Sequence, residues 1–167
     1  MHEDPSEFPL TGFADEVGKG EGLGYTVNVP LPYGTGDRIY LSTFNEIVVP
    51  IVNQYNPQFI LVSTGFDNHY ADPVGNMNLS ALSYTRIFDT LLESASKFCQ
   101  GKLVAVLEGG YSLRFLGKLA CTVTAKIAEI PYSFKDKPRC ANQKRRRKAE
   151  KMIVQIKKNQ SVFWNIK

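Results

Sequence analysis

The sequence predicts an α/β protein: a mostly parallel sheet with flanking helices. Three features point to it. Strand-like runs alternate with helix-spaced segments along the chain, an order that implies right-handed crossovers between parallel strands. Two of the runs, "PQFILVSTG" and "KLVAVLEGGY", are almost continuously apolar, as strands covered on both faces are. Both break at glycines that then deliver chemically capable side chains. A chain of 167 residues fits one domain with a proper core. At 43% hydrophobic and 22% charged, its composition is that of an ordinary soluble globular protein.

The elements follow in order. Residues 1–24 carry Pro5, Pro9 and glycines at 12, 18, 20, 22 and 24, and read as a loop, either mobile or shaped around something. Tyr25 to Val29 read as a short strand ended by Pro30 and Pro32. "YGTGD" is a turn into a helix, with Thr35 or Asp37 as its cap. Tyr40, Phe44, Ile47, Val48, Ile51 and Val52 keep helical spacing to about Tyr55, and Pro50 should kink or break that helix. Residues 57–65 are a strand. Ser80 caps the next helix, whose apolar positions are Leu82, Tyr84, Ile87, Phe88, Leu91, Leu92, Ala95 and Phe98, and Gly101 ends it. Residues 102–111 are a third strand. A helix from about Leu113 to Ile130 follows, stopped by Pro131. The stretch from about Ala141 to Gln160 reads as a very basic helix.

Charge divides the chain. Residues 1–134 hold 8 Lys/Arg against 14 Asp/Glu, and residues 135–167 hold 12 against 2, so the net charge of +4 comes entirely from the second part. The expected organisation is a domain over 1–134 and a basic C-terminal extension over 135–167, helical and packed on that domain. "KRRRK", Lys144 to Lys148, offers a nucleic-acid or acidic-partner surface. The favoured reading is a solvated helix face, with Ile153, Ile156, Val162, Phe163 and Trp164 packing back. No apolar run approaches the ~18 residues of a membrane span. The N-terminus, "MHEDPSEF", is acidic and polar, unlike a secretory signal. Cys99, Cys121 and Cys140 show no C-x-x-C spacing, which suggests a reducing, cytoplasmic setting.

In parallel sheets ligands bind beyond the carboxyl ends of the strands. Gly65-Phe66-Asp67 and Gly109-Gly110-Tyr111 both leave such ends and should share one rim. Asp67 is either a cap or Asx-turn residue or a metal ligand, a hard oxygen donor fixed by the strand beneath it. His69 would share its face in extended chain, yet taken alone reads as a structural histidine. Asp72-Pro73 reads as a turn. Tyr111 is either a packing aromatic or a phenol that donates a hydrogen bond to a developing oxyanion. Gly109 and Gly110 would let a ligand approach closely.

Four segments then carry a resemblance, in order over residues 2–113. "VSTGFDNHYADPVGNMNLSALSY" resembles the zinc-dependent histone deacetylase family's G-F-D, nearby D-P, helix start and tyrosine. "LEGGYS" is similar to that family's tyrosine loop. "GYTVNVPLPYGTGDRIY" resembles its intervening strand and turn, and "HEDPSEFPLTG" a loop that supplies a tunnel-wall aromatic. The look is that of the prokaryotic deacetylase-like, acetoin-utilisation and acetylpolyamine deacetylase members. The resemblance implies an arginase/deacetylase-like fold, present as a partial domain. It implies Asp67 as a zinc ligand and Tyr111 as the phenol that polarises the acetyl carbonyl. Phe8 would line the acyl channel, Gly109 and Gly110 would sit beside the acyl group, and the Tyr25 carbonyl would bind a structural monovalent cation.

Two departures qualify it. Leu10 stands where the family's loop has glycine. The family also carries two adjacent histidines and an aspartate-x-histidine motif upstream, and neither His2 nor His69 matches them. A catalytic zinc uses three protein ligands and a water, and that water needs a base. The expectation is therefore half of a site, removing acetyl from acetyl-lysine or a small acetylated amine only when complemented by a separately encoded N-terminal half. Without that half, the chain is expected to self-associate. The alternative is a non-catalytic remnant or a binding module that uses its basic tail.

Overall fold

The structure, a computed structural model, describes residues 1–6, 9–132, 134–137 and 143–166. In chain order its elements are β1 (His2–Glu3), β2 (Pro30–Leu31), α1 (Asp37–Thr43), α2 (Val49–Tyr55), β3 (Ile60–Thr64), α3 (Ala81–Cys99), β4 (Leu103–Leu107), α4 (Leu116–Ile127) and α5 (Gln143–Gln160). A 3-10 turn lies at Gly20–Gly22 and a π turn at Phe44–Val48. Both strand pairings are parallel: β1 with β2, and β3 with β4 in the register Ile60 opposite Leu103 to Thr64 opposite Leu107. Among the described residues the two ribbons are not hydrogen-bonded to each other.

The second strand lies later than expected, at Pro30–Leu31 and not Tyr25–Val29. Its ladder explains a proline inside it. The N–H of His2 donates to the Val29 carbonyl at 3.2 Å and that of Asp4 to the Leu31 carbonyl at 2.8 Å. These bonds fall on either side of Pro30, whose missing N–H this register does not call on. Upstream, the backbone is used elsewhere, with Tyr25 N–H donating to Gly22 O and the Gln160 side chain donating to Thr26 O.

The helix expected to run to Tyr55 is broken where Pro50 demands it. The Val49 N–H reaches back to Phe44 O, one residue further than an α-helix allows, and Pro50 then sits in the first turn of α2, where it needs no donor. Asp37 does not cap α1. Its carboxylate accepts from Ser80 N–H at 2.8 Å and from the hydroxyls of Ser80 and Ser83, each at 2.6 Å, and so ties the start of α1 to the start of α3. Ser80 does cap α3, accepting from Leu82 N–H at 3.3 Å. A second carboxylate, Asp136, accepts from Ala81 N–H at 3.1 Å. Two anions at this N-terminus suit the helix dipole. Gln100 and Gly101, both at positive φ, end α3.

The inner face of α3 is Ala81, Tyr84, Phe88, Leu91, Ala95 and Cys99, at steps of three and four. Leu82, expected on that face, is exposed. α4 is shorter than expected at both ends, and Leu113 lies outside it, almost wholly exposed. Fully buried Ile47, Leu79, Phe88, Leu119 and Ile156 join α3, α4 and α5 in one core. Each such side chain contributes roughly 1.5–3 kcal/mol through burial.

α5 belongs to that core through Ala149, Ile153 and Ile156, with Trp164 and Ile166 beyond its end. Val162 and Phe163 are the exceptions, 79% and 37% exposed. Its cations face the acidic body: Lys157 pairs with Glu46 at 2.6 Å and Lys148 with Asp4 at 3.3 Å. Exposed pairs of this kind contribute under about 1 kcal/mol each. The β3–β4 ribbon departs most from expectation. Val62, Leu103 and Ala105 turn to the core, but on the other face Leu61, Val104 and Val106 are 66%, 45% and 46% exposed.

Candidate functional site

Because β3 and β4 are parallel and in register, their carboxyl ends lie side by side. Phe66 N–H donates to Gly109 O at 2.8 Å just past the last ladder pair. That bond places Asp67, one residue on, beside the Gly109-Gly110-Tyr111 turn. Glycine is required there. A Cβ at Gly109 would collide with the Asp67 carboxylate, and one at Gly65 would lie 2.9 Å from its Oδ1. Gly110 adopts φ +131°, and a Cβ there would lie 2.9 Å from Phe66 Cβ. Of the two glycines expected to admit a ligand, Gly109 thus serves first to admit Asp67, and Gly110 to admit Phe66 and Leu116.

Asp67 and Tyr111 line one cleft of about 630 Å³, whose other walls include His2, Glu16, Asn28 and Asn68. Tyr111 is 54% exposed there. Burial, and after it the charge of Asp72, raises the Asp67 carboxyl above the ordinary carboxylate range. Asp67 also borders a second hollow, about 550 Å³, that runs along β3 and is lined by Tyr40, Phe44, Val48, Val52 and Ile60. A carboxylate that borders two hollows is placed for a cation or a donor.

The loop that walls the cleft is locally organised. Glu16 accepts from Thr11 Oγ1 at 2.8 Å and from the amides of Gly12 and Phe13 at 3.1 and 3.2 Å. Those bonds, Gly12's first, hold its carboxyl below the usual range. His2 Nδ1 lies 2.8 Å from Glu3 O, its Nε2 is buried with no partner among the described residues, and burial holds its imidazole below the ordinary range.

Other expected residues lie apart. His69 does not share the cleft; it is fully buried, and its Nε2 is 2.7 Å from Asp136 Oδ2. The chain turns between Asp67 and His69, as His69 N–H donating to Phe66 O shows, so no extended face exists for the two to share. Tyr25 packs edge-on against Tyr55 and Trp164 at 5.9 and 5.8 Å between ring centroids. Phe8 lies outside the described residues, as does Cys140. Two contributors were not expected. Asp72, read as a turn residue, reaches the tyrosine loop, and Asp136 anchors His69. Neither long-range role showed in the sequence, since both act across long separations.

A catalytic zinc takes three protein ligands and a water. Among the described residues no group of three His, Cys, Asp or Glu side chains is placed to hold a metal ion. Asp67, its carboxylate cradled by glycines, fits one ligand of such a site and not the whole of it.

Residues 1–127 match the histone deacetylase domain. The chain is 47% identical over 123 residues to a probable deacetylase of Archaeoglobus fulgidus, a match covering 74% of this chain and 34% of that protein. It is 30% identical over 136 residues to a histone deacetylase-like amidohydrolase of Pseudomonas aeruginosa, covering 81% and 36%. Among solved structures, the HDA15 HD domain superposes with a TM-score of 0.77 at 33% identity, and the histone deacetylase Clr3 with 0.82 at 30%. Each superposition covers 98% of this chain, with 43% of the first structure and 27% of the second. The chain thus spans about a third of the length of these curated relatives. The arginase/deacetylase fold and the domain match agree: the chain belongs to the histone deacetylase family.

Proposed function

We propose that this chain furnishes one side of a zinc-dependent deacetylase site, in which an acetylated amine is hydrolysed to acetate and the free amine. The observation that carries the reading is the pair Asp67 and Tyr111 on one rim, facing one cleft. Asp67 supplies one metal ligand. Zinc, when bound, polarises the acyl oxygen and lowers the pKa of the attacking water. Tyr111 donates its phenolic hydrogen to the oxygen that becomes negative at the tetrahedral stage. Gly109 and Gly110 keep backbone low beside the acyl group. The Tyr25 carbonyl serves a structural monovalent cation. The substrate is acetyl-lysine in protein or a small acetylated amine.

The other two metal ligands and the base come from polypeptide outside this sequence, joined to it or separate. Two features support that reading: β3 pairs with β4 alone among the described residues, and an open hollow runs along β3 to Asp67. Without such polypeptide, the chain covers this surface by self-association. A reducing, cytoplasmic setting suits the free thiols of Cys99 and Cys121. No helix among the described residues is long and apolar enough to cross a membrane.

A second reading has its own observation. Arg145, Arg146, Arg147 and Lys148 are all exposed on α5, as in a module that binds an acidic partner. The test is acetate release from acetyl-lysine peptides and acetylpolyamines by the chain combined with a deacetylase segment that carries the missing donors. Turnover that needs both parts and Tyr111 supports the deacetylase reading. No turnover, with salt-sensitive binding of an acidic polymer through the four cations, supports the second.

A further inference from the structure

We propose that Asp72 is the positioning residue for Tyr111: its carboxylate ties the loop carrying the phenol to the loop carrying Asp67, and so sets where the phenol stands over the cleft. The proposal rests on the reading of Tyr111 given above. Asp72 Oδ2 accepts from Tyr111 N–H at 2.7 Å and from Ser112 N–H at 3.1 Å. Its Oδ1 accepts from Val74 N–H at 2.9 Å and from Gly75 N–H at 3.2 Å. Four backbone donors from two distant segments converge on one carboxylate. Such charge-assisted bonds are about twice as strong as neutral ones.

The tie has a particular place in the chain. On one side, the last backbone link is Gly109 O accepting from Phe66 N–H. On the other, Ser112 O accepts from Phe115 and Leu116 N–H, in the turn that opens α4. Between these anchors stand Gly110, at φ +131°, and half-exposed Tyr111. Through Oδ2, Asp72 bridges this gap, and its charge also suits the N-terminal end of α4. Through Oδ1 it holds the Val74-Gly75 turn, which packs back on Asp67 so closely that a Cβ at Gly75 would overlap the Asp67 carbonyl. One carboxylate therefore fixes the oxyanion donor relative to the metal ligand. A local reading of Asp72-Pro73 sees only the Oδ1 half.

Amide hydrogen exchange on the full, isotope-labelled chain tests the tie. The Tyr111 and Ser112 amides should be protected in the wild type. In Asp72→Asn they should exchange about 10- to 100-fold faster, while Phe66 and Leu79 amides, bonded to Gly109 O and Asn68 O, keep their rates. If Asp72→Asn unprotects those reference amides as well, Asp72→Glu serves instead, retaining the charge and loosening only the Tyr111 side. Unprotected wild-type amides, or unchanged rates in the variant, overturn the tie. A second arm uses the complemented enzyme: Asp72→Asn should lower kcat without changing KM or zinc content, and should add nothing to Tyr111→Phe. An additive double variant, with the exchange result intact, overturns the positioning role. Exchange needs no turnover, so the tie stands or falls by its amide rates even where the deacetylase reading fails.

Discussion

The rim and the outer face of the β3–β4 ribbon are built from neighbouring residues and are in opposite conditions. At the rim, Phe66 bonds to Gly109, glycines crowd the Asp67 carboxylate, and Asp72 joins the two loops. On the outer face, Leu61, Val104 and Val106 stand about half exposed or more. The geometry of Asp67 relative to Tyr111 is set by residues 64–112 themselves. Under the proposed function, the cover of the sheet and the rest of the donor set come from other polypeptide.

Substitutions at the rim should have the largest effect. In a complemented enzyme, Asp67→Ala should abolish zinc binding and turnover together, measured by metal content and acetate release. Tyr111→Phe should keep the metal and lose kcat by about 100-fold or more, since it removes only the oxyanion donor. Retained zinc in the first variant, or unchanged kcat in the second, would remove that residue's assigned role.

Disturbing the face should act on association. Alone, the chain should self-associate and bind a hydrophobic dye, as exposed apolar patches do. Leu61→Lys with Val104→Lys should reduce both and also weaken complementation. Sedimentation that finds the wild-type chain monomeric, with low dye binding, would count against an uncovered face.

The smallest effect returns to the rim, where it separates function from stability at one residue. Burial and the charge of Asp72 raise the Asp67 carboxyl in the folded chain, so folding favours its protonated form. For such a group the folded state holds more protons than the unfolded one, and stability falls as pH rises from the ordinary carboxylate range through the raised value. Asp67→Asn should therefore stabilise the isolated chain slightly at neutral pH, read as a small rise in Tm, since solvent screens a carboxyl that is only half buried. The gain should shrink to nothing toward acid pH. A gain that does not depend on pH would point to packing as its cause.

Much of this was legible in the sequence because the relevant signals are short-range. The apolar runs gave the parallel strands, Ser80 gave the start of α3, and Pro50 gave the break before α2. The two glycine-marked strand ends put Asp67 and Tyr111 on one rim. What was not legible depends on distant partners. β2 shifted to Pro30–Leu31 because it pairs there with β1. Asp37 left its helix end for Ser80 and Ser83. His69 turned inward to Asp136, and Asp72 reached across to Tyr111. None of these pairings has a spacing that a single sequence reveals.

Whether Asp67 is one ligand of a shared zinc site is decided by zinc stoichiometry at equilibrium dialysis. The samples are the chain alone, a segment carrying the missing donors, and the mixture of the two. Little zinc should be held by the chain alone, and one zinc per complex by the mixture, lost again with Asp67→Ala. One tightly held zinc on the chain alone, insensitive to Asp67→Ala, would contradict the shared site.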